Sequence, residues 1–136
     1  MTLDPGARCP CGSGDTYGAC CGRFHAGAAA PTAESLMRSR FSAFAQGGPE
    51  MRDYLLATWH PSTRPPTLEL DDSTRWRRLD VVRTEAGGPF DDYGIVEFAA
   101  HYVEAPTTPE AVRGVMRETS RFVREDGRWF YVEPLA

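Results

Sequence analysis

CPCGSGDTYGACC, residues 9–21, holds all four cysteines of the 136-residue chain. They stand as two pairs, Cys9 with Cys11 and Cys20 with Cys21, on either side of eight intervening residues. Four thiolates at this spacing can surround one Zn²⁺ ion tetrahedrally. Glycines at positions 12 and 14 allow a tight turn around an ion, because glycine adopts positive φ at little cost. The stretch therefore predicts a zinc site with Cys9, Cys11, Cys20 and Cys21 as ligands.

Other uses of these cysteines fit the pattern less well. A disulfide framework is one alternative, but adjacent cysteines do not readily bridge to each other, and no secretory signal precedes them. A redox pair is another, but Cys-x-Cys differs from the Cys-x-x-Cys of redox motifs. His25 competes with Cys21 for the fourth ligand position; we expect Cys21 to bind and His25 to lie beside the site or at the surface.

The same stretch resembles a known zinc module. It is similar to the SEC-C motif in the C-terminal tail of the SecA translocation ATPase, through CPCGSG, an aromatic residue three positions later and the closing pair. The SecA tail has histidine where this chain has Cys21, and both residue types bind zinc. The resemblance implies a zinc knuckle over residues 1–25 (the knuckle) and a partner protein, since the SecA module contacts a chaperone and ribosomal components.

Length and charge limit the remaining possibilities. A chain of this length accommodates one main domain beside the knuckle. The formal net charge is -4, so we do not expect a nucleic-acid partner, whose binding depends on neutralising phosphates. No apolar run reaches the roughly 18 residues of a membrane span. Together with the missing secretory signal, this predicts a cytoplasmic protein.

Helical patterns occupy the first half of the main domain. A linker over residues 26–32 ends at Thr32, a predicted helix N-cap. Gly47-Gly48 ends this first helix, Pro49 opens a second one, and His60-Pro61 ends it. The apolar face of the first helix is formed by Met37, Phe41 and Phe44, at helical spacing. Arg38 and Arg40 lie beside that face: we expect one to be solvated or paired with a carboxylate, while the other could bind a phosphate or carboxylate bidentately.

The pattern changes to strands after a proline-rich stretch at residues 61–66. Residues 68–70 suit a short strand or a turn of helix. Glu125-Asp126-Gly127 is a strong hairpin signal. Strands are predicted over residues 76–84, 93–104, 115–124 and 128–133. Helices followed by antiparallel strands make an α+β chain.

This second part also carries a resemblance. SLMRSRFSAF (residues 35–44) and YLLATWHPSTRP (residues 54–65) resemble the middle domain of the YchJ-like family, whose members join a SEC-C motif to it. The resemblance implies an NTF2-like (cystatin-like) fold over residues 32–136. In this fold the helices pack on the concave face of a curved antiparallel sheet and form a cone.

Such a cone often encloses a pocket. The candidate pocket residues are Tyr54, Trp59, His60, Arg64 and His101. His60 could act as a general base or bind a polar ligand, because histidine side chains in general exchange a proton near neutral pH; we favour a structural role, with His60 capping the helix and Trp59 in the core. We expect His101 to be a hydrogen-bonded structural residue as well.

Two functions remain open. One is a zinc-binding protein that serves as an adaptor in protein quality control, translation or secretion, with the zinc in a structural role. The other is a small-molecule binder, or an enzyme of hydrolase or isomerase type, that uses the cone pocket. A zinc ion with four thiolates has no open position for water, which favours the non-enzymatic role. A homodimer through the sheet surface is also possible, unless the knuckle covers that surface.

Overall fold

Three helices precede four strands in the part of this protein that the structure describes. The computed structural model describes residues 3–135, so Met1, Thr2 and Ala136 of the predicted units lie outside the described residues. The elements are α1 (Cys21–His25), α2 (Ala33–Gln46), α3 (Pro49–Ala57), β1 (Thr74–Ala86), β2 (Tyr93–Glu104), β3 (Val112–Glu125) and β4 (Arg128–Leu135). This order confirms the predicted α+β class. None of the helices between residues 3 and 135 has the length and apolarity that crossing a bilayer requires.

The ends of α2 follow from its sequence. The Thr32 hydroxyl accepts the Ser35 N–H at 3.0 Å, and the Ser35 hydroxyl accepts the Thr32 N–H at 3.1 Å. This reciprocal pair is a capping box, which satisfies two backbone donors at the start of the helix. Gly47 and Gly48 follow the helix with φ of 69° and 92°. The corner lets Pro49 open α3 directly, and the predicted boundary is confirmed.

The strands form one antiparallel sheet in the order β1-β2-β3-β4. Asp126 and Gly127 connect β3 to β4 with φ of 53° and 77°, as a two-residue hairpin turn requires. β1 has irregularities in register between Trp76 and Arg78 and between Val81 and Arg83. Such bulges bend a strand and increase its twist, which helps the sheet curve around the helices.

Residues 68–70 lie in neither a helix nor a strand, contrary to the prediction. Leu68 and Leu70 instead pack against the cluster formed by Ala43, Met51 and Leu55. The short apolar pattern therefore reflects packing beneath a connecting segment and not a regular element.

The main core lies between α2 and the concave face of the sheet. It includes a residue of α1, Phe24, so the N-terminal segment contributes to the same core as the sheet. The large apolar side chains of this core are Phe24, Leu36, Met37, Phe41, Leu79, Val96, Phe98, Phe122 and Trp129. Burying each one removes enough apolar surface to favour folding by about 1.5–3 kcal/mol.

The convex face of the sheet carries charged side chains. Arg78 donates from Nη2 to Asp80 Oδ2 at 3.1 Å, and His101 Nε2 lies 2.9 Å from the same oxygen. Arg83 pairs with Glu97 at 3.4 Å. The hydrogen bond from His101, together with the positive charge of Arg78, lowers the pKa of Asp80. His101 is therefore hydrogen-bonded on the outer face.

Candidate functional site

The four cysteine side chains converge in one cluster. Their Sγ atoms all lie within 4.8 Å of one another, with 3.6 Å between Cys11 and Cys20 and 4.0 Å between Cys20 and Cys21. Around a tetrahedral zinc with Zn–S bonds of about 2.3 Å, the sulfurs would be about 3.8 Å apart. A disulfide requires about 2.05 Å, and all four thiols are free. The cluster has the dimensions and chemistry of a four-thiolate metal site.

Turns in the surrounding backbone bring the two cysteine pairs together. Gly12 and Gly14 have φ of 81° and 93°, the left-handed conformation that reverses the chain after Cys11. The Cys9 N–H donates to the Asp15 carbonyl at 3.0 Å, which closes the loop on itself. The Ser13 hydroxyl lies 3.2 Å from Cys20 Sγ, where it can donate to a thiolate. This loop holds the sulfurs in place through its own hydrogen bonds.

The cluster is sealed from solvent. Cys9, Cys11 and Cys21 are at most 1% exposed, and Cys20 is 9% exposed. Hydrogen bonds from Cys21 and Cys9 lower the pKa of Cys11, whereas hydrogen bonds to Cys11 and Cys9, followed by burial, raise the pKa of Cys21. Four thiolates together would need a bound cation to offset their repulsion.

His25 lies outside the sulfur cluster. Its Nδ1 accepts a hydrogen bond from the Tyr17 hydroxyl, and its Nε2 donates to the Ser39 carbonyl at 2.8 Å. Burial lowers the pKa of His25, which favours the neutral ring that this pair of bonds requires. With both ring nitrogens engaged, His25 connects the cysteine segment to α2.

Arg38 makes a second connection to α2. Its Nη1 donates to the Cys11 carbonyl at 3.1 Å, while its Nε pairs with Glu34 at 3.0 Å. Arg38 is thus the arginine of the predicted pair that meets a carboxylate. The segment that carries the cysteines is therefore joined to the main domain next to the sulfur cluster.

A separate cavity of about 250 Å³ lies between α2 and the sheet. It is mostly apolar, and two of its residues, Arg40 and Glu118, carry charge. Its lining consists of Met37, Arg40, Phe41, Phe44, Trp59, Trp76, Phe98, Ala100, Met116, Glu118 and Tyr131.

Arg40 is 4% exposed, and its guanidinium lies in the cavity wall against two aromatic rings that also contact each other. Its guanidinium carbon lies 4.8 Å from the ring centre of Tyr131 and 5.2 Å from that of Trp59. Its Nη1 donates to the Leu55 carbonyl at 2.7 Å and to the Thr58 hydroxyl at 2.6 Å. Burial lowers the pKa of Arg40 to about 10, so the side chain remains charged at neutral pH.

Two of the predicted pocket residues lie close to α2. Trp59 lines the cavity. The Tyr54 hydroxyl is 2.7 Å from Ser39 Oγ, and its ring packs edge-on against His25. Tyr54 therefore belongs to the contact between the cysteine segment and α2 and is not part of the cavity lining.

The other predicted pocket residues also lie away from the cavity. His60 Nε2 contacts Glu125 at 2.9 Å, and Thr58, not His60, occupies the C-cap of α3. Arg64 is exposed and donates from Nε to the Trp59 carbonyl at 3.0 Å. His101 is on the convex face of the sheet. Because proline-containing turns follow Trp59, the chain carries His60 and Arg64 around the end of the sheet.

The sequence patterns do not predict Glu118 and Tyr131 as cavity residues, although both line the cavity. The Tyr131 hydroxyl donates to Glu118 Oε2 at 3.1 Å, and the Ser120 hydroxyl donates to the same oxygen. Alternation along β3 places Glu118 and Ser120 on the same face of the strand as buried Phe122. Two polar residues on a face that is otherwise buried indicate a polar site in the core, and this pattern could have been found in the sequence. Burial raises the pKa of Tyr131.

Known proteins resemble this chain over most of its length. Residues 32–134 match the family described as YchJ, middle NTF2-like domain, and residues 7–23 match the SEC-C motif. A UPF0225 protein of Corynebacterium efficiens is 52% identical over 132 residues, covering 96% of this chain and 95% of its own. A UPF0225 protein of Chromobacterium violaceum is 53% identical over 134 residues, covering 95% and 93%.

A solved structure supports the same assignment. The solution structure of a SEC-C motif containing protein from Rhodopseudomonas palustris has a TM-score of 0.77 to this chain at 30% identity. The similarity covers 94% of this chain and 97% of that one. The predicted fold, an NTF2-like α+β domain behind a cysteine-rich N-terminal segment, is thus confirmed. The chain belongs to the UPF0225 family, and in this chain a SEC-C motif precedes a YchJ-type NTF2-like domain.

Proposed function

We propose that this protein is a zinc-stabilised adaptor that binds a partner protein through the knuckle. The observation that carries the proposal is the sealed cluster of four sulfurs within 4.8 Å of one another. Zinc is the metal that best suits four thiolates in a tetrahedral arrangement. Cys9, Cys11, Cys20 and Cys21 would each supply one ligand.

The role proposed for the metal is structural. Catalytic zinc sites keep one position open for water or substrate, and a site with four protein thiolates has none. When bound, the ion would fold and stiffen the loop, because a segment of this size has too little core of its own. Free thiolates persist in reducing compartments, so we place the adaptor in the cytoplasm.

The surface offered to a partner would be the turn over residues 12–16. All five of these residues are exposed, including Ser13 and Asp15, while the sulfurs beneath them are buried. The bond from Arg38 to the Cys11 carbonyl would fix this turn relative to α2. The SEC-C resemblance supports a partner in protein quality control, translation or secretion. Exposed polar turns held rigid by a metal lose little entropy on binding, which favours recognition.

An enzyme of hydrolase or isomerase type has less support. That role relied on His60 or His101 as a general base in the pocket, and both lie outside the cavity lining. A general base must come within hydrogen-bonding reach of its substrate.

Affinity capture with matched charge reversals tests the adaptor role. Zinc-loaded protein would be immobilised in reducing buffer and exposed to a cleared bacterial lysate, with retained proteins quantified by mass spectrometry. Asp15→Arg changes the exposed turn, and Glu110→Arg makes the same change in the exposed loop between β2 and β3. The strongest retained protein would then be purified for direct binding measurements.

We expect the purified partner to bind the unmodified protein and Glu110→Arg equally, and Asp15→Arg at least about tenfold more weakly. Equal binding by both variants would remove the turn from the interface and overturn the proposal. Metal analysis of the same preparation should give one zinc per chain; metal-free protein with free thiols would also contradict it.

A further inference from the structure

The cavity contains a buried charge that the protein leaves incompletely paired. Both hydrogen bonds that described residues form with the Arg40 guanidinium use Nη1. Within residues 3–135, Nε and Nη2 have no acceptor and neither is fully buried. No carboxylate of the described chain lies within ion-pair distance of Arg40, and the only one whose charge acts on the guanidinium from farther away is that of Glu118. Buried charges in proteins are normally paired, because removing them from water is costly. The free edge of the guanidinium therefore favours an acceptor from outside the chain.

The geometry of Arg40 suits a planar anion. Contacts with the rings of Trp59 and Tyr131 leave the guanidinium little freedom to turn. A guanidinium presents two parallel N–H groups that match the two oxygens of a carboxylate. A donor held in advance loses little side-chain entropy when the ligand binds.

Trp59, which packs against Arg40 in the cavity wall, carries an unsatisfied donor of its own. Its Nε1 is buried and has no hydrogen-bond partner within the described part of the chain. A buried donor without an acceptor costs about 1–3 kcal/mol. Such unsatisfied buried groups are uncommon in folded proteins, and this one belongs to the residue whose ring packs against the Arg40 guanidinium.

The rest of the cavity favours a ligand that has an apolar body and a single negative charge. Phe41, Phe98 and Trp76 provide aromatic walls. Glu118 lies in the lining, so a second negative group on the ligand would meet a carboxylate there. The volume of about 250 Å³ lies just below the range of roughly 300–1,000 Å³ for ligand pockets, which limits the ligand to a small molecule.

We propose that the cavity binds a small monocarboxylate with an apolar body, paired through its carboxylate with Arg40. The apolar body, aromatic or branched aliphatic, packs against Phe41, Phe98 and Trp76. This binding function goes beyond the adaptor role and does not depend on it, because the sulfur cluster and the cavity use different residues. Arg40 is thereby assigned as the residue that selects the anion.

Pairs of small probes test this assignment on the full-length, zinc-loaded protein. trans-Cinnamate is compared with cinnamamide, and isovalerate with isovaleramide, so that each pair shares its shape and differs in charge. Binding is followed by NMR through the indole N–H signals of Trp59 and Trp76. The indole of Trp129, whose Nε1 donates to the Pro31 carbonyl at 3.2 Å, is the internal control.

At least one carboxylate should produce saturable shifts at Trp59 and Trp76, with an affinity at least about tenfold above that of its amide. Arg40→Met should remove this preference, whereas Arg117→Met, which deletes an exposed arginine next to Glu118 in sequence, should retain it. Because the probe pairs are compared on the unmodified protein, the test stands even if Arg40→Met does not fold. Equal affinities for acid and amide, or no saturable shift at these two indoles with either acid, would overturn the proposal.

Discussion

Arg40 illustrates what the sequence predicts about a single residue and what only the structure shows. The sequence predicts that one of Arg38 and Arg40 is solvated or meets a carboxylate and that the other could bind an anion. In the structure Arg38 pairs with Glu34, and Arg40 is buried beside Trp59. Because Arg38 and Arg40 are two positions apart in a helix, their side chains are expected to point in different directions. Which one turns inward depends on the position of the sheet, which local sequence does not determine.

Replacing Arg40 should reduce stability. Arg40→Met removes the donor to the Leu55 carbonyl and the Thr58 hydroxyl at the end of α3, and unsatisfied buried acceptors cost about 1–3 kcal/mol. Urea unfolding should show a loss of this size, with Arg117→Met unchanged to within about 0.5 kcal/mol. An Arg40→Met variant as stable as the unmodified protein would mean that relief of charge burial offsets the lost hydrogen bonds.

His25 should make stability depend on pH. Because burial lowers its pKa from the ordinary value of 6.5, the folded state prefers the neutral ring. Its contribution is fully present above about pH 6.5 and is lost as the pH falls through the lower folded-state pKa. Unfolding free energies measured from about pH 7.5 down to about pH 5.5 should therefore decrease, and less steeply for His25→Gln.

Zinc release must be measured in the same samples, since thiolates also take up protons in acid. Both proteins carry the same four cysteines, so a difference between their slopes isolates His25. Identical pH profiles would show that the ring contributes no pH dependence of its own.

At the scale of elements, the packing of α2 on the sheet includes one place where the backbones come very close together. The Ala33 N–H at the start of α2 donates to the Gly87 carbonyl at 2.9 Å. A Cβ atom added to Gly94 would lie 2.6 Å from Gly87 Cα and 2.9 Å from Ala33 Cβ. Backbone cannot move aside as a flexible side chain can, so the helix would have to shift away from the sheet.

Gly94→Ala should destabilise the fold by about 1–3 kcal/mol, the usual cost of overpacking a core. Gly88→Ala is the matched control, because an added Cβ there would meet only the Asp91 carboxylate, at 3.3 Å. Thermal or urea unfolding of the two variants measures the difference. Equal stabilities would show that α2 is free to move relative to β2.

Elements with local signals were predictable from sequence. Thr32, Gly47-Gly48, Pro49 and Asp126-Gly127 each determine backbone geometry through their own chemistry, and the structure has a boundary or turn at every one. β2 was predicted over its full extent because its apolar residues alternate. The pocket residues were less predictable, since they depend on which parts of distant elements meet. Glu118 faces the cavity because of pairing along β3, and His60 leaves it because of a turn after Trp59.

For the whole molecule, removal of the metal tests most directly whether the cysteine segment and the main domain fold as separate units. We propose residues 1–25 as a metal-folded unit and residues 32–136 as a unit with its own core. Phe24 belongs to the main core, and Arg38 and His25 tie α2 to the cysteine segment. Loss of zinc should therefore unfold the cysteine loop and weaken the start of the helical layer, while the sheet persists.

Cys11→Ser, or treatment with a chelator, should lower the zinc content from one per chain towards zero. Amide hydrogen exchange should then lose protection across residues 7–25 while amides of β2 and β3 remain protected. Ser13→Ala, which leaves all four sulfurs in place, should retain the metal. Global loss of protection after zinc removal would contradict the proposed division and make the metal a requirement for the entire fold.

The bulges in β1 have a consequence for behaviour at high concentration. β1 is the first strand of the sheet order and so lies at its edge. An edge strand of 13 residues is a template on which another chain could begin to aggregate. Two breaks in its ladder and the exposed arginines at positions 75, 77, 78 and 83 make a foreign strand hard to align there. The irregularities that curve the sheet would thereby also protect the protein against fibril-like growth.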